Sequence, residues 1–245
     1  MLIVVPAFNE ETALGGLLAE IRALPATDAE LATVVVDDGS GDRTTDVARA
    51  NHVRVLELCG NLGIGGAVQS GLRLAAREGY DFAVQIDGDG QHPPGELARL
   101  LAAARVEPAP DLVVGTRYRS TGDTFRSTPL RRLGSWWLKL VLRVVAGVRV
   151  SDPTSGFRLY GPRALQLFDD TYPYDFPEPE SLAMARKHGL RIVETPVAMR
   201  ERQGGNSSIA GFGTLYYMLK VTVAIVLTYA RARRHFAEDD HAAGG

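Results

Sequence analysis

The sequence predicts an α/β fold, a mainly parallel sheet with helices on both faces. Two observations carry the prediction. Five short apolar runs, LIVVP (2–6), ATVVVDD (32–38), VRVLEL (53–58), DFAVQID (81–87) and DLVVG (111–115), alternate with segments 10–24, 42–50, 64–78 and 95–105 that place apolar residues at helical spacing. Strands this apolar, fed by intervening helices, belong to a sheet buried on both sides. In addition, polar clusters gather at the carboxyl ends of the runs, PAFNE, DDGSGD, CGNLGIGG and DGDGQ. Open sheets of this kind bind ligands beyond those ends.

After about residue 116 the alternation changes. A loop, 117–127, precedes a helix with readable ends: Ser127 or Thr128 can cap it, Pro129 sits in its first turn and Gly147 ends it. SDPTSGFRLYGP (151–162) reads as a loop and short strand, and 178–189 as a helix closed by Gly189. Residues 190–199 are strand-like but interrupted by Pro196, and ERQGGNSS is a polar loop. From this the chain divides into a ligand-binding domain over 1–210, split into halves 1–116 and 117–210. An apolar helix within 211–236 and a disordered tail over 237–245 follow.

Composition is globular: 245 residues, 45% hydrophobic and 23% charged. The single cysteine, Cys59, excludes an internal disulfide and fits a cytosolic setting. MLIVVP at the start reads as a core strand with no basic leader. The net charge of −2 hides an uneven spread. Arg117, Arg119, Arg126, Arg131, Arg132, Lys139, Arg143 and Arg149 stand against the one acid Asp123, so this segment is +7 and the remainder −9. Such a block suits an anionic partner or a solvated basic face. Its Trp and apolar content, with little polar base-reading chemistry, speaks against nucleic acid.

The most specific chemistry lies in VQIDGDGQHPP (84–94). Residues two apart on a strand project to one side, so Asp87 and Asp89 can converge. Two carboxylates that close repel each other, and a divalent cation resolves the repulsion. With the Gln91 amide they form an oxygen set suited to Mg²⁺ or Mn²⁺, although a solvated turn is the commoner use of D-x-D. Asp37 and Asp38 end another strand, where an acid can accept hydrogen bonds from a base or ribose or simply organise a turn. The glycines of GNLGIGGA (60–67) let backbone approach a ligand, but lack the G-x-G-x-x-G spacing of a dinucleotide site.

Taken in order, PAFNEE, VVVDDGSGDRT, GNLGIGGA, QIDGDGQHPP, GTRYR and DPTSGFRLY resemble a family 2 glycosyltransferase of GT-A fold, over about residues 1–210. More narrowly they resemble the polyprenyl-phosphate (dolichyl-phosphate) mannosyl- and glucosyltransferase branch. The resemblance implies a Rossmann-like sheet and a metal-dependent, inverting transfer of sugar from a GDP-mannose or UDP-glucose type donor to a polyprenyl phosphate. It implies that Pro6, Phe8 and Glu10 line the nucleotide pocket, that Asp38 contacts the base with Val36 nearby, and that Asp87, Gly88, Asp89 and Gln91 serve metal and diphosphate. It further implies that Arg117, Arg131 and Ser135 hold the acceptor phosphate and that Arg202 stands near the donor phosphates. Two positions depart from the branch: Gly60 replaces the basic residue often found before Asn61, and Ser208 stands where a lysine is frequent.

The barrier in such a transfer is expulsion of the nucleotide diphosphate, which cations stabilise. A phosphomonoester acceptor has a second pKa of about 6 and arrives largely ionised, so it needs attraction more than deprotonation. An alcohol acceptor, soluble or on a glycan, is the alternative, and it needs a general base. Asp152, Glu178 and Glu180 are the candidates, although the two glutamates can equally favour a helix start.

Within 129–146, Arg131, Ser135, Lys139 and Arg143 recur every four residues as one polar stripe beside Trp136 and Trp137, the pattern of a helix lying at a membrane interface. Residues 215–230 are interrupted only by Lys220 and two threonines and end in Arg231, Arg233 and Arg234. That run is shorter than the roughly 20 apolar residues of a membrane span. The expectation is a peripheral protein at the cytoplasmic membrane face, with a membrane-protein partner as an open possibility. Both helices also suit ordinary burial.

Overall fold

In the computed structural model, residues 1–25, 30–117, 129–200 and 218–230 are described, the side chains of 129–132 excepted. In chain order the elements are β1 Leu2–Ala7, α1 Leu14–Arg22, β2 Ala32–Asp37, α2 Thr44–Ala50, β3 Arg54–Glu57, α3 Gly63–Arg77, β4 Ala83–Gln85, α4 Leu97–Ala104 and β5 Leu112–Thr116. Then follow α5 Pro129–Ala146, β6 Arg158–Tyr160, α6 Pro162–Asp170, α7 Pro177–Lys187 and β7 Ile192–Pro196. A last helix, α8, covers 218–230.

The strands form one seven-stranded sheet in the order β3-β2-β1-β4-β6-β5-β7. All run in one direction except β6, which pairs antiparallel with both β4 and β5. From β1 the chain builds outward through β2 and β3, then returns to place β4 on the other side of β1. The reversal leaves a crevice beyond the carboxyl ends of β1 and β4, the position where open α/β sheets take ligands.

Strand alternation splits the core into two layers. Leu2, Val4, Val34 and Val36 face α3 and the later helices, while Ile3, Val5 and Val35 face α1 and α4. These side chains are at most 1% exposed. Each contributes about 1.5–3 kcal/mol on burial, and together they fix the register that carries the strand ends to the crevice.

Two elements differ from the sequence expectation. The β6 strand enters the sheet reversed, because strand direction leaves no mark on hydrophobic alternation. The helix α6, directly after it, was not foreseen; Pro162 opens it, and Ala164, Leu165 and Phe168 bury its inner face. The glycines read as helix ends do that work: Gly147 after α5 and Gly189 after α7 have φ of +66° and +71°. β7 ends at Pro196 on the sheet edge, where a missing backbone donor costs nothing.

α5 buries Leu138, Val141, Leu142 and Ala146 but exposes Leu133, Trp136, Leu140 and Val144. It is therefore apolar on two faces, with Lys139 half-buried and Arg143 exposed between them. α8 packs on it through Trp137, whose Nε1–H donates to Thr222 Oγ1 at 2.9 Å. α8 buries Val221 and Ile225 and exposes Leu219, Val223, Val226 and Leu227. Among the described residues no helix is long and apolar enough to cross a membrane. Residues 231–245, including the basic end and the expected tail, lie outside the described residues.

Candidate active site

A cavity of about 480 Å³ occupies the switch point between β1 and β4. Pro6, Phe8 and Glu10 line it from the end of β1, Asp38 from the end of β2, Gly63 and Ile64 from the start of α3, and Asp87, Gly88 and Asp89 from beyond β4. A larger groove of about 740 Å³ opens at the amino ends of the strands. Among the described residues its lining contains no carboxylate, and it gathers none of the polar clusters the sequence places at strand ends.

The strand expected over 81–87 is formally shorter, but its pairing with β1 continues. Ile86 donates its backbone N–H to Val4 O at 3.0 Å and Gly88 to Pro6 O at 3.1 Å. A Cβ on Gly88 would stand 3.0 Å from Pro6 O, so the residue between the acids must be small for the segment to lie on β1. Asp87 and Asp89 are thereby delivered, half-buried, to one cavity wall. Asp89 Oδ1 accepts the Gln91 N–H at 3.0 Å and closes the turn. Gln91 itself stands outside the cavity lining; its carbonyl takes the Arg200 N–H.

Asp87 is held from several sides. Gln85 Nε2 donates to its Oδ1 at 2.8 Å. Its backbone N–H donates to His92 Nδ1 at 3.2 Å, so that nitrogen is an acceptor and its 3.6 Å approach to Asp87 Oδ2 is not an ion pair. His92 is stacked on Phe157, the ring centroids 5.2 Å apart. Among the described residues no Lys or Arg pairs with Asp87, and no group of three or more His, Cys, Asp or Glu converges. The protein thus offers, beside Asp89, an Asp87 carboxylate that no cationic side chain among the described residues neutralises. That donor set fits a hard divalent ion that completes its shell with substrate phosphate and water.

The two acids at the end of β2 have separate work. Asp37 organises the turn, accepting the Ser40 hydroxyl and, at 3.0 Å, the Thr45 hydroxyl. Asp38 faces the cavity and accepts the Leu62 N–H at 2.7 Å, tying β2 to the start of α3. Burial pushes its carboxyl above the ordinary value, against the lowering effect of the Leu62 and Gly63 amides. Val36 does not reach the cavity. It is fully buried among the core residues on the α3 side, which the alternation of β2 requires.

The glycines of 60–67 serve packing more than ligand approach. A Cβ on Gly65 would lie 2.4 Å from Pro173 O, and one on Gly66 2.4 Å from Leu62 Cβ. Gly71, further along α3, lets the helix sit on Val4, 2.2 Å from where its Cβ would be. Only Gly63, with φ +78°, both lines the cavity and needs a glycine conformation.

The candidate acceptor residues are only partly within the description. Arg117 Nε donates to Asp152 Oδ2 at 2.6 Å. Arg117 is 8% exposed and Asp152 fully buried. This pairing corrects the reading of Asp152 as a base: a sealed carboxylate bound to a guanidinium orients that guanidinium and is not placed to take a proton from an incoming group. Glu180 is likewise turned away, accepting the Thr228 hydroxyl of α8 at 2.9 Å. Burial raises the carboxyls of both Glu180 and Glu178. Ser135 Oγ is buried without a hydrogen-bond partner among the described residues. The side chain of Arg131, and Arg202 entirely, lie outside the described residues.

Three residues that sequence reasoning missed hold this geometry together. Glu194 on β7 accepts the Ser151 N–H at 2.7 Å, the Ser151 hydroxyl at 3.0 Å and the Asp152 N–H at 3.1 Å, and so fixes the loop that presents Asp152. Gly156 lies against the acids: a Cβ there would be 2.7 Å from Asp87 Oδ2. Arg158, fully buried, ties the same loop to α7 by donating to Ser155 O, Ser181 Oγ and Glu178 O at 2.7–2.8 Å. The motif DPTSGFR, which the sequence offered only as a resemblance, is thus one scaffold. Its Asp end holds Arg117 and its Gly end abuts Asp87.

With this geometry in place, the kinship is informative. Residues 2–168 match Glycosyl transferase family 2. Undecaprenyl-phosphate mannosyltransferase of Micrococcus luteus is 35% identical over 86% of this chain and 88% of its own length. Polyprenol monophosphomannose synthase of Mycolicibacterium smegmatis is 33% identical over 90% and 84%. Among solved structures, glucosyl-3-phosphoglycerate synthase from Mycobacterium tuberculosis, in complex with Mn²⁺, uridine-diphosphate-glucose and phosphoglyceric acid, superposes with a TM-score of 0.70. It covers 93% of this chain and 78% of its own, at 21% identity. The shared fold is the GT-A fold.

Proposed function

The chain belongs to glycosyl transferase family 2, and from that membership we propose that it moves a hexose from a nucleotide-diphosphate sugar to a polyprenyl phosphate, with inversion, at a membrane surface. One observation carries the reading. The 152–158 loop touches the Asp87 carboxylate through Gly156 and holds Arg117 through Asp152, so a cation-binding acid pair and an anion-binding arginine share one support. The names of both relatives support the acceptor class.

In this mechanism 1–116 is the donor half. Phe8, Glu10 and Asp38 bind the nucleoside, and Asp38, above its ordinary pKa, accepts hydrogen bonds from base or ribose. Asp87 and Asp89 would hold Mg²⁺ or Mn²⁺, which would supply charge neutralisation for the departing diphosphate. The half from 117 to 210 receives the acceptor. Arg117, kept in one orientation by Asp152, draws in the phosphate with Arg131 and Ser135, whose orphaned hydroxyl suits a phosphate oxygen. An acceptor that arrives ionised needs no base, consistent with an Asp152 locked in an ion pair.

The surface fits a lipid substrate. A basic hollow of about 420 Å³, lined by Lys139, Arg143 and Arg149, borders the exposed Trp136 and Leu140 of α5. Such a face suits the headgroup region of a bilayer and supports the reading of a peripheral protein. The decisive test is incubation with Mn²⁺, GDP-mannose or UDP-glucose, and polyprenyl phosphate. Lipid-linked hexose is the expected product. Transfer to a soluble alcohol, with none to the lipid, would overturn the reading.

A further inference from the structure

Behind Asp87 lies a buried line of polar groups that the transfer reaction does not itself call for. Gln85, 1% exposed, sits two residues before Asp87 and on the same side of the strand. Its Nε2 donates to Asp87 Oδ1 at 2.8 Å. On its other side, Gln85 Oε1 accepts the Tyr160 hydroxyl at 3.3 Å. The Tyr160 and Tyr172 hydroxyls are 3.2 Å apart. Tyr160 is fully buried and Tyr172 nearly so.

The chemistry gives this line a direction. A carboxylate accepts only, so Gln85 must turn its amide nitrogen toward Asp87; the reversed amide would set carbonyl against carboxylate. The Gln85 oxygen then faces Tyr160, which must donate. With its single hydrogen committed there, Tyr160 can only accept from Tyr172. Burial pushes both phenols up, which keeps each one a donor. Every bond therefore points toward Asp87. Gly156 packs beside the Gln85–Asp87 bond: a Cβ there would stand 2.7 Å from Asp87 Oδ2 and 2.9 Å from Gln85 Nε2.

We propose that Gln85, oriented by Tyr160 and Tyr172, is a positioning residue that fixes the plane of the Asp87 carboxylate and thereby sets the affinity of the site for its divalent cation. The inference rests on the reading of Asp87 and Asp89 as cation ligands. Buried partners of a ligating group typically change metal affinity by about 10–100-fold when removed. A static packing role would leave that affinity alone.

The test is Mn²⁺ uptake, read from the loss of the free-ion electron paramagnetic resonance signal with UDP and, separately, GDP present. Thermal midpoints report folding alongside. Gln85→Met keeps the volume and removes the donor, and is expected to weaken uptake about tenfold or more. Tyr160→Phe removes one oxygen and is expected to weaken it by about threefold, a smaller effect because it acts at one remove. In the Gln85→Met background Tyr160→Phe should change nothing further, since the chain is already cut; such non-additivity marks residues acting in series. Unchanged Mn²⁺ affinity in either folded variant, or two independent additive losses, would overturn the proposal. Should Gln85→Met fail to fold, Tyr160→Phe decides alone. If the wild-type chain takes up no Mn²⁺ with either nucleotide, the cation reading itself falls and this inference with it.

Discussion

Arg117 donates its Nε–H to Asp152 across 2.6 Å, in a place where the carboxylate is wholly sealed from water. Removing one member of such a pair strands the other as an uncompensated charge and costs about 3–5 kcal/mol. Asp152→Asn is expected to lower the urea midpoint accordingly and to raise the KM for the phosphate acceptor at least about tenfold, with nucleotide affinity unchanged. Turnover at saturating acceptor should survive. A general base typically contributes about 10²–10⁴ in rate, so a fall of that size would restore Asp152 as the base.

Asp87 and Asp89 stand on one wall of the cavity with no cationic side chain opposite Asp87 among the described residues. Asp89→Ala and Asp87→Asn are expected to abolish transfer while each variant stays folded, as its thermal midpoint reports. Excess chelator should stop the wild-type enzyme, and added Mn²⁺ or Mg²⁺ should restart it. Normal turnover in chelator would remove the metal from the mechanism.

Gly156 packs against the Asp87 carboxylate and the Gln85 amide together. An added methyl would lie 2.7 Å from Asp87 Oδ2 and 2.9 Å from Gln85 Nε2. Overpacking of this kind costs about 1–3 kcal/mol, and the group most able to move is the Asp87 side chain. Gly156→Ala is expected to remain folded yet lose most transfer activity and Mn²⁺ uptake, measured together. Retention of both would mean that the loop, and not the acid, gives way.

These relationships mark what the chain discloses in one dimension. The layered sheet was legible, because β1, β2 and β4 are apolar on both faces and their polar ends are short and distinct. The convergence of Asp38, Asp87 and Asp89 followed from strand ends. What escaped depends on pairings between residues far apart in the chain: Asp152 with Arg117, Glu194 with Ser151, Gly156 with Asp87. The glycines of 60–67 were read as room for a ligand, whereas Gly65 makes room for the backbone of residues 173–174, which no local pattern announces.

Asp38 supplies a pH signature. Burial raises its carboxyl above the ordinary 3.8, helped by the charge of Asp37 and opposed by the Leu62 and Gly63 amides. The folded protein thus binds that proton more tightly than the unfolded chain. Its contribution favours folding below pH 3.8 and is lost as pH rises through the higher folded value. Asp38→Asn keeps an oxygen for the Leu62 N–H and has no charge to bury. The variant is expected to be more stable than wild type at pH 7, with the difference shrinking toward pH 4, while nucleotide affinity drops about tenfold, the worth of a typical hydrogen bond to a charged group. Denaturation at the two pH values checks the sign; a gain larger at pH 4 would contradict the burial of a charged Asp38.

The exposed stripe Leu133, Trp136, Leu140 and Val144 runs along α5 at intervals of three and four residues, with Val144 74% exposed. Since the opposite face already fills the core, this stripe is surplus to folding, and an acidic substitution on it should leave stability within about 0.5 kcal/mol. It does bear on a bilayer. Apolar side chains beside the cations Lys139 and Arg143 gain from insertion and from anionic headgroups together. Val144→Glu is expected to reduce sedimentation with vesicles containing anionic lipid at least several-fold and to raise the KM for long-chain polyprenyl phosphate presented in those vesicles. The KM for a short, water-soluble isoprenyl phosphate should be unchanged, because the proposed phosphate site at Arg117 and Ser135 can be reached without a membrane. Equal losses with both acceptors would mean that α5 acts on the phosphate site itself, and undiminished vesicle binding would leave the stripe without a role at the lipid surface.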